Sequence, residues 1–149
     1  MYCGRCAKIK SDSEGELSKV LDGLYLSGMD VASSFKGMRL CVYDWPPTYG
    51  EPFIHIPILT TRPNSATDRS GAVASIEQLD RAAEIIDQYQ RDGNVLLVHC
   101  HGGVERSPLT VAWYLRKFGK YSSLEEAYTF LQSKRAVVSN RLFWLPVDR

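Results

Sequence analysis

The sequence lacks a long hydrophobic run, a dense set of cysteines and an excess of charge of either sign. The apolar run Val95–Val98 is far shorter than the ~20 residues that a membrane-spanning helix needs, so no membrane partner is expected. Eighteen basic and 17 acidic residues leave a formal net charge of +1, which argues against nucleic acid as a partner. No secretory signal is expected, because no apolar stretch follows the basic N-terminal residues. The four cysteines, Cys3, Cys6, Cys41 and Cys100, are therefore interpreted as thiols of a cytoplasmic protein.

The composition is close to that of an ordinary globular domain. Hydrophobic residues make up 44% and charged residues 23% of the 149 positions, which excludes wholesale disorder and suffices for one core. Residues 1–16 are polar, small and charged, and we expect a flexible or loosely docked N-terminal arm there. The folded domain is expected to span residues 17–149. Cys3 and Cys6 form only half of a zinc knuckle, so no metal site is expected.

Hydrophobic periodicity predicts strands in the first half of the chain and mainly helices in the second half. The expected strands are Leu24–Leu26, Leu40–Tyr43, Phe53–Ile56 and Val95–Val98, and the expected helices begin at Val73, at about Arg106 and at Ser123. Residues 60–71 are rich in turn-forming residues and are expected to form a loop. This order predicts a single α/β domain with a central, mostly parallel sheet flanked by helices.

The most informative segment joins a buried strand to a helix. It reads His99-Cys100-His101-Gly102-Gly103-Val104-Glu105-Arg106-Ser107-Pro108. Two adjacent glycines suit a tight turn, and proline suits the first turn of a helix, where its missing N–H would have no partner. A strand, turn and helix in this order direct several backbone N–H groups and the positive end of a helix at one point. The segment therefore predicts a phosphate-binding loop between the strand and the helix.

These residue types suit nucleophilic attack on a phosphoryl group. Thiols at helix N-termini ionise more readily than free thiols, so Cys100 is expected to react as a thiolate. The planar guanidinium of Arg106 offers paired donors to two phosphate oxygens, and Ser107 can donate a hydrogen bond to the departing thiolate. Because backbone N–H groups and Arg106 supply the charge stabilisation, no metal or other cofactor is implied. The expected reaction passes through a phospho-cysteine intermediate.

The same residues resemble the signature of the dual-specificity branch of protein tyrosine phosphatases. His99-Cys100, five further residues and Arg106-Ser107-Pro108 carry the resemblance. It extends to residues 20–28 at the opening strand and to His55-Ile56-Pro57-Ile58 before the expected acid loop. At the closing helices it rests on residues 123–128, Arg135 and Asn140. The resemblance covers roughly residues 19–145 and implies that residues 17–149 form a catalytic domain of this family.

The resemblance also implies roles for individual residues. The expected catalytic residues are Cys100, Arg106, Asp68 and Ser107. The residues expected to bind the phosphoryl group of the substrate are His101, Gly102, Gly103, Val104, Glu105 and Arg106. His99 is expected to support the loop structurally, with Glu105 at the rim as a charge that disfavours polyanionic substrates. Cys41 resembles in its placement a cysteine that some family members use as a redox partner of the nucleophile, although a small buried hydrophobe is the alternative reading.

The general acid is the least defined part of the predicted site. In the family an aspartate closely follows the strand that resembles residues 55–58, but Leu59-Thr60 stands at that place here. The next carboxylate is Asp68, which lies in a loop that could bring it over the pocket, and it is the predicted acid. Asp44, beside Trp45, is the reserve candidate.

The predicted function is a metal-independent protein phosphatase that acts on phosphotyrosine, with phosphoserine and phosphothreonine as further substrates. Phosphoproteins are accordingly the expected partners. Three alternatives stay open. One is a phosphatase for a non-protein substrate such as an RNA 5′ end, a phospholipid or a phosphosugar. Another is a pseudophosphatase that binds phosphorylated partners without turnover. A rhodanese-like sulfur transferase fits less well, because the Arg106-Ser107-Pro108 ending suits phosphate better than persulfide.

Overall fold

The computed structural model describes residues 15–146. The predicted N-terminal arm, except for its last two residues, lies outside the described part of the chain, as do Cys3 and Cys6. Within that part, no helix is long and apolar enough to cross a membrane.

Seven strands, four α-helices and one 3-10 helix follow one another within residues 15–146. The strands are β1 (Ser18–Leu21), β2 (Leu24–Ser27), β3 (Met38–Cys41), β4 (Ile54–His55), β5 (Leu59–Thr61), β6 (Val73–Ala74) and β7 (Leu96–His99). The helices are α1 (Met29–Ala32), α2 (Ile76–Asp92), α3 (Arg106–Lys117), α4 (Leu124–Lys134) and the 3-10 helix Leu142–Trp144.

The main sheet has five strands in the order β1-β2-β7-β3-β4. Only β1 and β2 pair in the antiparallel sense; β2, β7, β3 and β4 run parallel. The prediction of a single α/β domain with a mostly parallel sheet is therefore confirmed. Helix α3 packs between α2 and α4 and also contacts β7 and β2. All four residues of β7 are buried, as the continuous apolar run predicts for a central strand.

The helix boundaries follow local capping signals. Helix α2 begins after Ser75, whose side chain accepts a hydrogen bond from the N–H of Gln78 at 3.1 Å, and ends at Gly93 with φ of 73°. Helix α4 begins after Ser123, which accepts from the N–H of Glu126 at 3.1 Å. A short side chain with an oxygen at this position satisfies one of the first N–H groups of a helix, and a glycine tolerates the left-handed conformation at the other end.

Two local expectations were wrong. Val73 does not open a helix, because it pairs with Thr61 in the two-stranded ladder of β5 and β6. The first residues of the expected loop 60–71 belong to that same ladder. The apolar spacing of Val73 fits the helix that follows, but pairing with a distant segment overrides the local pattern.

Candidate active site

Cys100 lies at the carboxyl end of the central strand. Strand β7 ends at His99 and α3 begins at Arg106, so residues 100–105 form the connection, called here the Cys100 loop. The carboxyl ends of parallel strands are where α/β folds bind ligands. The side chain of Cys100 is almost fully buried, and its Sγ lies 3.3 Å from Oγ of Ser107 in the first turn of α3. The structure thus brings the predicted nucleophile and its predicted hydrogen-bond donor together.

Contacts from distant segments hold the Cys100 loop in place. Gly103 has φ of 70°, and a Cβ there would lie 2.6 Å from Nη2 of Arg135. The buried Arg135 donates to the carbonyl of Gly103 at 2.9 Å and to that of Gly102 at 3.2 Å. The N–H of Met29 donates to the carbonyl of His101 at 2.7 Å. Because these donors occupy the carbonyls, the loop geometry is determined before any substrate binds.

The guanidinium of Arg106 already has hydrogen-bond partners within the protein. Its Nε donates to Oδ1 of Asp44 and its Nη2 donates to Oδ2, both at 3.0 Å. The side chain of Asp44 is only 10% exposed, and Nε of Arg62 lies 3.8 Å from its Oδ2. Paired N–H donors meeting a planar carboxylate are the same arrangement that binds two oxygens of a phosphate. Asp44 therefore takes the place on Arg106 that the sequence assigns to a phosphoryl group.

Asp68 lies apart from this arrangement. Its side chain is exposed, and Oδ1 accepts hydrogen bonds from the N–H and the hydroxyl of Ser70 at 3.1 and 2.6 Å. These bonds from Ser70 lower the pKa of Asp68. The neighbouring Thr67 and Arg69 line the cavity above Cys100, whereas Asp68 does not.

The cavity that contains Cys100 has a volume of about 680 Å³. The Cys100 loop forms its floor, and the half-exposed Trp45 forms part of its wall, with the guanidinium of Arg62 4.4 Å from the centre of the indole. Its remaining lining comes from Tyr43, Asp44, Pro63, Ala66, Thr67, Arg69, Arg106 and Arg141. A second cavity, of about 670 Å³, is lined by residues of α2, α3, α4, the turn before α4 and the 3-10 helix, and Cys100 is not among them.

Glu105 makes ion pairs with two arginines that sequence reasoning did not connect to it. Arg69 donates through Nε at 2.7 Å and through Nη2, and Arg141 donates through Nε at 3.1 Å and Nη2 at 2.9 Å. Burial favours the neutral acid, but the hydrogen bonds from both arginines outweigh it and lower the pKa of Glu105. The expected repulsion of polyanions by Glu105 is offset by these cations. Each arginine is 36 residues away along the chain, so no local spacing signals the contact.

His99 ends β7, and Cys41 ends the neighbouring strand β3. Nε2 of His99 is 2.5 Å from the hydroxyl of Tyr49, and its Nδ1 is 3.1 Å from the carbonyl of Cys100. Burial lowers the pKa of His99 to about 4. Cys41 is fully buried at the end of β3, in register with His99. His101 and Val104 form further parts of the cavity lining, and His101 stacks on the ring of Tyr43 at 5.5 Å.

Together, the fold and the residues around Cys100 define a phosphatase catalytic domain. Residues 46–146 match the family of the dual specificity phosphatase catalytic domain, and the chain belongs to this family. The resemblance seen in the sequence is therefore confirmed.

Similar proteins support the same classification. Over 132 residues the chain is 26% identical to "Putative tyrosine phosphatase 123R" of Invertebrate iridescent virus 6, covering 83% of this chain and 82% of the viral protein. It is 26% identical over 133 residues to dual specificity protein phosphatase 2 of Mus musculus, covering 85% of this chain but only 40% of the mouse protein. The crystal structure of human DUSP28 has the same fold, with a TM-score of 0.64, 19% identity and 86% of each chain covered.

Proposed function

We propose that the chain is a cysteine-dependent phosphatase of phosphoproteins that hydrolyses phosphotyrosine through a phospho-cysteine intermediate. The observation that carries this proposal is the arrangement of Cys100 at the floor of the cavity, with Ser107 3.3 Å from its sulfur and Arg106 in the same lining. A thiolate, a hydroxyl donor and a guanidinium around one point suit phosphoryl transfer. In keeping with the cysteine usage, we place this activity in the reducing cytoplasm.

In the first step, the thiolate of Cys100 attacks phosphorus and the bond from phosphorus to the leaving oxygen breaks. The backbone N–H groups of residues 101–106 and the guanidinium of Arg106 stabilise the equatorial oxygens. In the second step, water attacks phosphorus, the S–P bond breaks and the electron pair returns to sulfur. The hydroxyl of Ser107 then donates a hydrogen bond to the thiolate.

The aromatic side chains in the cavity lining support an aromatic phosphate as the substrate. Tyr43 and the half-exposed Trp45 lie in the lining together with Cys100. Flat side chains of this kind pack against a phenyl ring in offset or edge-to-face geometry. Phosphotyrosine offers such a ring, whereas phosphoserine and phosphothreonine offer only short aliphatic stems. We therefore expect the highest kcat/KM on phosphotyrosine peptides.

The leaving oxygen needs a proton, and two carboxylates are candidates to supply it. Asp68 is the donor that the sequence predicts, and it would have to move with its loop to reach the substrate. Asp44 already lies in the cavity. Loss of the true donor should lower kcat on phosphopeptides by ~10²–10⁴ with little change in KM. The loss should be smaller on an aryl phosphate whose leaving group departs without a proton.

The test compares kcat/KM on phosphotyrosine and phosphothreonine peptides, a phosphoinositide and an RNA 5′-phosphate. Cys100→Ser is expected to abolish turnover while it retains phosphate binding, because a hydroxyl is a far weaker nucleophile. Arg106→Lys is also expected to lower kcat/KM severely, because a lysine ammonium cannot reproduce the paired N–H donors of a guanidinium. Arg91→Lys, on the surface of α2, is the matched control and should behave as wild type.

Retention of more than about a tenth of the wild-type kcat/KM by Cys100→Ser would overturn the mechanism, because nucleophilic catalysis would then come from elsewhere. Higher activity on the lipid or RNA substrate than on any peptide would favour the non-protein alternative. Binding of phosphopeptide without turnover of any substrate would favour the pseudophosphatase alternative.

A further inference from the structure

All three nitrogens of the Arg106 guanidinium face carboxylates. Nε and Nη2 donate to the two oxygens of Asp44 at 3.0 Å, and Nη1 lies 3.6 Å from Oε1 of Glu105. Both carboxylates are largely buried, with side chains 10% and 14% exposed. The guanidinium carries a fixed number of N–H donors. A phosphoryl group that binds along the Nε–Nη2 edge must therefore displace Asp44.

Displacement leaves Asp44 beside a dianion. The carboxylate loses its two charge-assisted hydrogen bonds to Arg106, while Arg62 is more distant, at 3.8 Å, and mostly exposed. A second negative charge nearby favours the protonated form of a carboxyl group, and loss of a cationic partner acts in the same direction. Displacement therefore frees the Asp44 carboxyl for a role in proton transfer inside the cavity.

Resting on the function proposed above, we infer that Asp44 has two successive roles. In the free protein it occupies the Nε–Nη2 edge of Arg106, where a phosphoryl group would bind. Once the substrate displaces it, Asp44 acts as the proton donor. Asp44 lines the same cavity as Cys100, so its proton has a short path to the leaving oxygen. Asp68 lacks both properties. It is not among the residues that line that cavity, and its hydrogen bonds from Ser70 stabilise the anion.

The step balances without any co-reactant other than water. Asp44 takes up one proton from the bulk solvent when the substrate dianion displaces it from Arg106. The S–P bond then forms, the bond from phosphorus to the leaving oxygen breaks, and the leaving oxygen receives the Asp44 proton. In the second step, the Asp44 carboxylate accepts a proton from the attacking water. Asp44 then releases this proton to the solvent, the freed phosphate departs, and the carboxylate returns to Arg106.

The first experiment measures how strongly each variant depends on the leaving group. Asp44→Asn keeps an oxygen that can accept from Arg106 but has no proton of suitable acidity to donate. It should lower kcat by about 100-fold or more on a phosphotyrosine peptide. On an aryl phosphate with an acidic leaving group the loss should shrink to less than about tenfold. Asp22→Asn, at an exposed turn between β1 and β2, is the matched control and should keep wild-type activity.

The second experiment measures binding without turnover. In the Cys100→Ser background, Asp44→Ala removes the internal competitor for Arg106, so inorganic phosphate should bind about tenfold more tightly than to Cys100→Ser alone. The gain should be absent in Cys100→Ser combined with Asp22→Asn. A circular dichroism spectrum identical to that of the parent shows that the Asp44 variants are folded.

Two results would overturn the inference while leaving the proposed function intact. One is an equal loss of kcat on both substrates in Asp44→Asn, which would show that Asp44 only positions Arg106. The other is the leaving-group pattern in Asp68→Asn and not in Asp44→Asn. Failure of the wild-type protein to hydrolyse any substrate would instead defeat the proposed function.

Discussion

The imidazole of His99 has no exposed surface and is held between the hydroxyl of Tyr49 and the backbone of Cys100. Burial lowers its pKa from 6.5 to about 4, so the folded protein holds the ring neutral in this interval. The unfolded chain takes up a proton as the pH falls below 6.5, whereas the folded protein does so only near pH 4. The folded state therefore loses stability as the pH falls through this window.

We predict that His99 makes the free energy of unfolding fall by roughly 3 kcal/mol as the pH drops from its unfolded to its folded pKa. Denaturant unfolding across this range measures the slope. His99→Gln should flatten the curve, because glutamine has no proton to gain, even if its stability at neutral pH is also lower. An unchanged slope in the variant would assign the pH dependence to other groups.

Cys41 is the second residue whose chemistry depends on burial. Its thiol is fully buried, and burial raises its pKa to about 11, with Cys100 adding to the rise. Strands β3 and β7 are neighbours, and Cys41 pairs with the residue before Cys100. We predict that Cys41 captures a sulfenic acid formed on Cys100, giving a disulfide and water. Because a high pKa leaves little thiolate, the capture should be slow.

Peptide mapping after mild peroxide treatment tests this prediction. A Cys41–Cys100 crosslink is expected, with activity restored by dithiothreitol in the wild type but not in Cys41→Ser. The variant lacks the protecting thiol, so its Cys100 should proceed to irreversible oxidation states. Equal recovery of both proteins, or a crosslink to Cys3 or Cys6 alone, would contradict the redox role.

At the scale of elements, Glu105 joins three separate parts of the fold. It directly precedes α3, while Arg69 belongs to the segment between β5 and β6 and Arg141 directly precedes the 3-10 helix. Hydrogen bonds to charged groups each stabilise by about 1.5–3 kcal/mol. We predict that Glu105→Gln lowers the free energy of unfolding by about 2 kcal/mol, as measured by denaturant unfolding.

An exposed ion pair provides the comparison. Lys19 and Asp22 pair at 3.0 Å where β1 turns into β2, with both side chains more than half exposed, and pairs of this kind contribute at most about 1 kcal/mol. Asp22→Asn should therefore change stability less than Glu105→Gln. Equal effects would show that the Glu105 contacts act only as a surface pair.

The elements that sequence reasoning located correctly are those whose signals are local. Ser123 precedes a helix because its side chain accepts a hydrogen bond from the N–H three residues ahead. The apolar run before Cys100 predicts β7 because a central strand is covered on both faces. Val73 was wrongly assigned to a helix because its strand partner, Thr61, is distant in sequence. The residues next to Val73 do not indicate that pairing.

At the scale of the whole molecule, binding of an oxyanion should stabilise the folded state. Inorganic phosphate at about 100 times its Kd stabilises by ~2.7 kcal/mol, which corresponds to a rise in Tm of roughly 5–10 °C for a chain of this size. We predict this rise for the wild type and for Arg91→Lys. Arg106→Lys should lose most of it, because a single ammonium cannot bind two oxygens. A similar rise in Arg106→Lys would place phosphate elsewhere on the molecule.

The residues of the site, like the elements of the fold, were predictable where their signals are local and not where they depend on distant segments. Cys100, Arg106 and Ser107 lie within eight consecutive positions, so a strand, a glycine turn and a helix suffice to bring them together. Asp44 and Asp68 lie in loops whose directions depend on contacts across the fold. The sequence favoured Asp68 because it is the next carboxylate after residues 55–58. The two arginines on Glu105 are equally remote. What sequence reasoning missed are contacts between segments rather than properties of single residues.

The position of β7 in the sheet has a consequence for how the chain is made. β1 with β2, and β3 with β4, are two halves that only β7 connects. While the ribosome is still translating, a nascent chain that ends before Leu96 holds two unconnected strand pairs, which are marginal on their own and expose unpaired edges. The strand that completes the sheet is followed directly by Cys100. Premature termination before that point therefore releases neither a finished sheet nor a nucleophile.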